Sequence, residues 1–377
     1  MIIGVDAVSI ASSGGLTYLT EFVNNLDADL VGDGHVFLWL DAGGMYDEIV
    51  ERPFITIILV KNNTFSRVLW KTKRLALEAR NKKCNIVFVM DSIYLNFGAF
   101  ENIVTINQNL LPFEYRELLR YGVSIKTIKF IFLRWVFLYT FNRSKGVVFL
   151  SEYAKNKVLK IANNKFRHIV IHHAAMQNDF SNKRQLSISK YNYSNPYEIV
   201  YVSSVEPYKH HIQIIEAVSS LREKGLPVSF RIIGNSGDYR SINLLEKAIR
   251  LFDPTGDWIV FDNNIQYKEM SLIYNKMDLM IFSSTCETFG LPISEAINAY
   301  VPIVCSNRSS MSSIFGDKLF YFDPFSKESI ADVLLNVIKS QNLRKIQTKR
   351  NYEFMKYYGW GRVTSDTYRF IDSCVGE

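Results

Sequence analysis

The stretch LMIFSSTCETFGLPISEAINAYVPIVCS, residues 279–306, constrains the fold more than any other part of this chain. Leu279–Phe282 is a short apolar run that stops at Ser283-Ser284, as a buried parallel strand does. Thr285–Gly290 reads as a tight polar loop. Pro292 stands where a helix starts, because its missing N–H costs nothing there. Ile293, Ala296, Ile297 and Tyr300 follow at helical spacing and predict a face packed on a sheet. Val301–Cys305 reads as the next strand. A strand–loop–helix–strand unit of this kind belongs to a parallel α/β sheet, and its loop lies at the edge where open α/β folds bind ligands.

Two acids bracket the loop. Glu287 precedes the helix and Glu295 lies one turn inside it. The amides of Phe289, Gly290 and Leu291 between them are expected at the helix N-terminus, an anion-binding arrangement. Carboxylates beside such amides suit a ligand that joins phosphates to hydroxyls, as a nucleotide sugar does. An ordinary amphipathic helix with a solvated acid is the competing account of Glu295.

The chain has 377 residues, more than one hydrophobic core usually serves, so two domains are expected. Apolar runs at Ile2–Val5, His35–Leu40, Phe54–Leu59, Ile86–Met90 and Ile103–Ile106 alternate with helical stretches such as Thr64–Arg80. That is the rhythm of a doubly wound sheet. The polar stretch 177–195 reads as a linker. The expected division is residues 1–190, with a final helix in 357–377 returning to them, and residues 191–356. The chain begins directly as a strand, so no signal peptide is expected, and no apolar run is long enough to span a bilayer. Four scattered cysteines have no metal-type spacing and suit a cytoplasmic protein.

The glutamate stretch, Glu287-Thr-Phe-Gly-Leu-Pro-Ile-Ser-Glu295, resembles the signature of retaining, metal-independent glycosyltransferases of family 4. These have the GT-B fold, two Rossmann-like domains facing across a cleft. Further segments carry the resemblance along most of the chain. Gly14-Gly15, opening a helix after the first strand, is similar to the family's first glycine loop. Gln108 and Asn109 stand where the family has a His followed by Asp or Asn; glutamine is no general base, though it orients a hydroxyl. Ser203–Lys209 resembles the phosphate-clamping segment. Lys209 is its cation, and Ser204 replaces a common arginine. The loop Asp262–Gln266, with Ile265, would face the nucleotide base, and the turn Ser306–Ser313 would approach the diphosphate. Tyr321–Pro324 and the helix Lys327–Lys339 match the closing segment. The resemblance implies that Glu287 binds the transferred sugar, Glu295 the ribose, and Lys209 the diphosphate. No cofactor and no metal are implied. A hexose would pass to a glycan or lipid-linked acceptor, as in bacterial surface polysaccharide synthesis. A non-catalytic nucleotide-sugar-binding subunit is the rival, prompted by Gln108 and Ser204.

Charge adds a partner. Residues 1–190 hold 24 Lys and Arg against 16 Asp and Glu, whereas the remainder is nearly balanced at 20 against 21. Arg116–Arg167 alone carries twelve basic residues and two acids. A basic half suggests nucleic acid, an anionic membrane or an anionic substrate; no nucleic-acid motif accompanies it. Glu114–Phe141 is read as one helix crowded with large apolar residues and interleaved with Lys126, Lys129 and Arg134. It suits either a membrane interface or a buried helix with a basic rim, which would leave the protein cytoplasmic or peripheral on the inner membrane face. Asp27-Ala28-Asp29 has the spacing of a metal site, but reads as solvated charge. His172-His173 has no ligand partners at useful spacing and reads as a loop pair.

Overall fold

The structure is a computed structural model that describes every residue except 11–12, 45, 62, 96–98, 164, 175–185, 235–236, 264, 266–268 and 376–377, and only the backbone of residues 13 and 64. Residues 177–185 of the linker stretch, together with Asn264 and Gln266 of the loop expected to face the base, lie outside the described residues. The chain forms two compact units. One comprises Met1–Leu118, Gly122–His173 and Tyr358–Glu377, and the other Leu119–Tyr121 and Ala174–Tyr357.

The first unit is built on a seven-stranded parallel sheet. Its strands are β1 (Ile2–Asp6), β2 (His35–Asp41), β3 (Ile55–Val60), β4 (Ile86–Val89), β5 (Ile103–Asn107), β6 (Gly146–Phe149) and β7 (Arg167–Val170). They lie in the order β3-β2-β1-β4-β5-β6-β7. The central strand β4 is apolar throughout and wholly buried, as a strand covered on both faces is, whereas the edge strand β3 has no fully buried residue and leaves Leu59 exposed. The C-terminal helix Trp360–Ser373 belongs to this unit. Tyr18 and Thr367 hydroxyls meet at 3.1 Å, and Phe370 covers Gly146 so closely that a Cβ there would stand 2.8 Å from the ring.

The second unit has six parallel strands: β8 (Tyr197–Val202), β9 (Val228–Ile233), β10 (Ile259–Asp262), β11 (Leu279–Phe282), β12 (Ile303–Ser306) and β13 (Phe320–Phe322). Their order is β10-β9-β8-β11-β12-β13. Each sheet therefore reverses its winding once, between β1 and β4 in the first and between β8 and β11 in the second. Loops leaving the two strands at such a switch point part to opposite faces and open a crevice. Both units have the doubly wound α/β architecture expected from the strand–helix rhythm.

Two helical expectations need correction. Glu114–Phe141 is not one helix. It is a short helix at Tyr115–Leu119 and a long one at Ile125–Arg143. Gly122, at φ +63°, turns the chain between them, and the Ser124 hydroxyl caps the second by accepting from the Thr127 amide at 3.2 Å. The stretch Thr64–Arg80 is helical but carries a π-helical segment at Trp70–Arg74. That segment puts Trp70 and Lys71, adjacent in sequence, both inside the unit.

Candidate functional site

The crevice of the second sheet is lined by the loops after β8 and β11. The first runs from Ser203 through a 3-10 turn, Pro207–Lys209, into the helix His211–Glu223. The second is Ser283–Gly290, followed by the helix Leu291–Asn298. Thr285 ties them together. Its amide and its hydroxyl both donate to the Tyr208 carbonyl, at 3.0 and 3.2 Å, and the His210 Nε2 lies 3.2 Å from that hydroxyl. His210 adopts a left-handed backbone at φ +55°, which starts the helix and turns Lys209 toward the crevice.

Lys209 Nζ donates to Glu287 Oε1 there. The ammonium also lies over the Tyr208 and Phe282 rings, 5.3 and 5.4 Å from their centroids. Lys209 exposes 9% of its side chain and Glu287 17%, so the pair is largely removed from water. Behind it, burial and then the Glu287 charge push the Cys305 thiol well above its ordinary range. Ser309, at φ +60° in the loop after β12, clamps the backbone of Glu287: its hydroxyl accepts from the Glu287 amide at 2.8 Å and stands 3.0 Å from the carbonyl it donates to.

The helix after the glutamate loop starts at Leu291, one or two residues later than a site of three amides requires. Gly290 is its left-handed N-cap, at φ +89°, and the Ile293 amide donates back to the Gly290 carbonyl at 3.0 Å. Phe289 lies before the helix with its side chain buried against Phe315. Of the three amides, Leu291 alone belongs to the first turn. Glu295 is buried, and Tyr274 donates to its Oε2 at 2.7 Å. It is therefore not a solvated acid on an amphipathic face. Ser204 is half-buried in the loop after β8, and Ile265 is half-buried after the edge strand β10. The segment Ser306–Ser313 divides into a turn and a helix, Met311–Phe315, which takes up Ser312 and Ser313.

In the first unit, Gly14 and Gly15 lie in the first turn of the helix Ser13–Asn24 after β1. A Cβ at Gly15 would stand 3.4 Å from Gln108 Oε1, so the glycine loop and the residue after β5 are neighbours. The Gln108 amide donates to the Met90 carbonyl at 3.3 Å. Asn109 is exposed, and its side chain is used locally, accepting from the Leu111 amide at 3.1 Å. At the switch point of this sheet, Lys71 Nζ bridges Asp6 Oδ2 at 2.6 Å and Asp91 Oδ1 at 2.7 Å, and the Trp70 indole donates to Asp6 at 3.0 Å. Asp27 caps a short helix, accepting from the Leu30 amide at 2.7 Å, which accounts for the Asp-x-Asp spacing. His173 packs between the Tyr18 and Trp360 rings. Among the described residues no group of three or more His, Cys, Asp or Glu gathers as a metal site.

Residues 183–354 match the family described as glycosyl transferases group 1. That matched segment lies within the second unit. The chain's two Rossmann-like units have the GT-B fold: 99% of the chain superposes on 99% of Anabaena Alr3699/HepE, solved in complex with UDP and glucose, with a TM-score of 0.74 at 15% identity. O-antigen chain mannosyltransferase B of Escherichia coli is 23% identical over 233 residues, 60% of this chain and 60% of that protein. O-antigen chain mannosyltransferase RfbU of Salmonella typhimurium is 21% identical over 271 residues, 71% of this chain and 68% of that protein. The chain thus spans three-fifths to two-thirds of the length of these relatives.

Within the matched segment the structure brings Lys209 and Glu287 together from positions 78 residues apart, and pairs them with each other. Sequence reasoning gave them separate ligand groups. It missed Thr285, His210, Ser309 and Tyr274, whose signals are weak: a threonine, a histidine, a serine and a tyrosine in loops or on a helix carry no spacing that marks them. Asp6 and Asp91 did carry a signal, since each is a charge directly after an apolar run of the sequence.

Proposed function

We propose that this protein is a retaining, metal-independent glycosyltransferase that moves a hexose from a nucleoside diphosphate to a glycan or lipid-linked acceptor. The observation that carries the reading is the Lys209–Glu287 pair at the switch point of the second sheet. A cation and a carboxylate held side by side at the sheet's ligand edge suit a ligand with a diphosphate next to hydroxyls. In this reading an incoming diphosphate takes the Lys209 ammonium from Glu287, and the released carboxylate accepts hydrogen bonds from the sugar. Glu295, oriented by Tyr274, takes the ribose hydroxyls. Ile265 lies beside the base, and the glycine loop with Gln108 receives the acceptor.

The chemistry follows from the charges. The bond between the anomeric carbon and the phosphate oxygen breaks, and negative charge develops on that oxygen. Lys209 and the helix-start amide of Leu291 stabilise it. The acceptor hydroxyl oxygen bonds to the anomeric carbon on the face the phosphate leaves, and its proton passes to the departing phosphate. No side-chain base is needed, so glutamine at position 108 is compatible with transfer. No cofactor enters. The names of the O-antigen mannosyltransferase relatives favour a mannose-type donor and a surface-polysaccharide acceptor.

A panel of UDP-, GDP- and dTDP-sugars tests the reading by thermal stabilisation. A donor at 100 times its Kd should stabilise the native protein by about 2.7 kcal/mol. One nucleotide class should raise Tm in wild type and fail in Lys209→Ala. No stabilisation by any of them would reject a nucleotide-sugar site. Donor binding without transfer to any acceptor or to water would favour the rival, a binding subunit.

A further inference from the structure

The helix Ile125–Arg143 follows β5 and returns the chain to the start of β6, so its N-terminus lies at the ligand edge of the first sheet. Nineteen helical residues span about 28 Å, whereas strands of four or five residues span about 15 Å. The helix therefore overhangs the sheet. Its packing shows where: Val136, Phe137, Thr140 and Phe141 of the C-terminal half are buried, with Thr127 the one buried residue of the N-terminal half. Ile125, Ile128, Phe132 and Trp135, spaced three, four and three, form one stripe and are exposed by 87, 67, 65 and 69%. Val123, just before the helix, is fully exposed, and Ile131 widens the stripe. An exposed apolar stripe of this size on a folded unit marks an interaction surface.

Charge identifies the occupant. Lys126, Lys129 and Arg134 flank the stripe, and Arg143 ends the helix. Between Tyr115 and Arg143 the one acid is Glu117, which is buried. Apolar side chains rimmed by cations, with no exposed carboxylate, match the interface of an anionic bilayer: acyl chains below, phosphates above. We infer that this stripe docks the first unit on an anionic lipid surface, and that docking sets the Gly15–Gln108 edge next to an acceptor held in the bilayer. The inference rests on the glycosyltransferase reading only for the acceptor; the lipid surface itself is argued from the helix.

The chain carries its own probe. Of five tryptophans, Trp39, Trp70, Trp258 and Trp360 are buried and Trp135 is exposed. Full-length protein is mixed with vesicles of equal parts phosphatidylglycerol and phosphatidylcholine, with or without brominated acyl chains. The expected result is co-sedimentation at low salt, loss of binding at high salt, and quenching of fluorescence that is absent in Trp135→Phe. Lys126→Glu with Lys129→Glu should weaken binding by about 30-fold or more. Ile128→Ser with Phe132→Ser should remove the quenching. Nucleotide-sugar stabilisation should be unchanged in both, since the donor residues belong to the other unit. No binding to anionic vesicles at low salt overturns the inference, as does binding without quenching of Trp135. A wild-type dimer that Phe132→Ser splits would also overturn it, by showing that a second copy covers the stripe. Loss of nucleotide-sugar stabilisation in wild type would remove the enzyme reading and leave the vesicle result standing.

Discussion

Replacing Lys209 with methionine separates the two tasks assigned to that side chain. Exposed ion pairs contribute about 0–1 kcal/mol, whereas breaking a buried pair from one side costs about 3–5 kcal/mol. At 9 and 17% exposure the Lys209–Glu287 pair lies nearer the second limit. Methionine still fills the slot over Tyr208 and Phe282, so little packing is lost, but the Glu287 carboxylate is left without its ammonium. The expected loss is about 2–3 kcal/mol. In a unit of roughly 150–250 residues that lowers Tm by about 4–12 °C. Glu287→Gln keeps the shape and an acceptor oxygen, and leaves the ammonium over two rings; its expected cost is about 1 kcal/mol. The double variant removes both charges and should recover about 1 kcal/mol or more of the Lys209→Met loss. Calorimetry on the full chain, with and without a nucleoside diphosphate, measures all four proteins. Lys209→Met should lose the ligand-induced rise in Tm as well. A Lys209→Met protein as stable as wild type and equally stabilised by the nucleotide would refute both assignments.

Gly290→Ala should destabilise by about 1–2 kcal/mol, because an L residue is strained in the left-handed region. The added methyl would meet only the flexible end of Met311, at 3.2 Å, so backbone strain sets the cost; an unchanged denaturation midpoint would contradict it. Tyr274→Phe removes a hydrogen bond to a buried carboxylate and should cost about 1.5–3 kcal/mol, with donor affinity falling in parallel by calorimetric titration. Acid should weaken both units. Burial, with the neighbouring charges of His172, Arg120 and Lys209 respectively, pushes His173, His210 and His211 down to about 3, 4 and 3. Their folded pKa values lie below the ordinary 6.5. Their contribution is therefore complete above about pH 6.5 and is lost as pH falls toward 4, by about 1.4 kcal/mol per unit per ring. The second unit, with two such rings, should lose stability about twice as steeply as the first; a Tm flat between pH 7 and 5 would show that the rings protonate in place.

Much of the fold was legible because parallel strands buried on both faces need uninterrupted apolar runs. Leu279–Phe282 and Ile86–Val89 could hardly be anything else, and Pro292 fixed the helix start to within a residue. The break at Gly122 was hidden, since large apolar residues continue past it and hide a single left-handed turn. The stretch that follows defeated a choice between core and surface. Its apolar residues belong to both: Phe137 and Phe141 face the sheet, while Phe132 and Trp135 face outward, and composition cannot divide one helix into two faces when both are apolar. At the candidate site, the charged residues were legible because a charge at the end of a buried strand is conspicuous. Their mutual pairing was not, because it depends on the Thr285 and His210 contacts, which bring the loops after β8 and β11 together. The Asp6–Lys71–Asp91 cluster depended on a π-helical segment that no apolar spacing in the sequence announces.

The most direct test of the account is a transfer assay on the purified protein with the donor class that stabilises it, a polysaccharide-type acceptor, and a chelator throughout. Proton NMR of the product gives the anomeric configuration. The account predicts nucleoside diphosphate release coupled to acceptor glycosylation, persistence of activity in the chelator, retention of the donor's anomeric configuration, and loss of most turnover in Glu287→Gln. Inversion at the anomeric carbon, or full turnover by the Glu287→Gln protein, would contradict it.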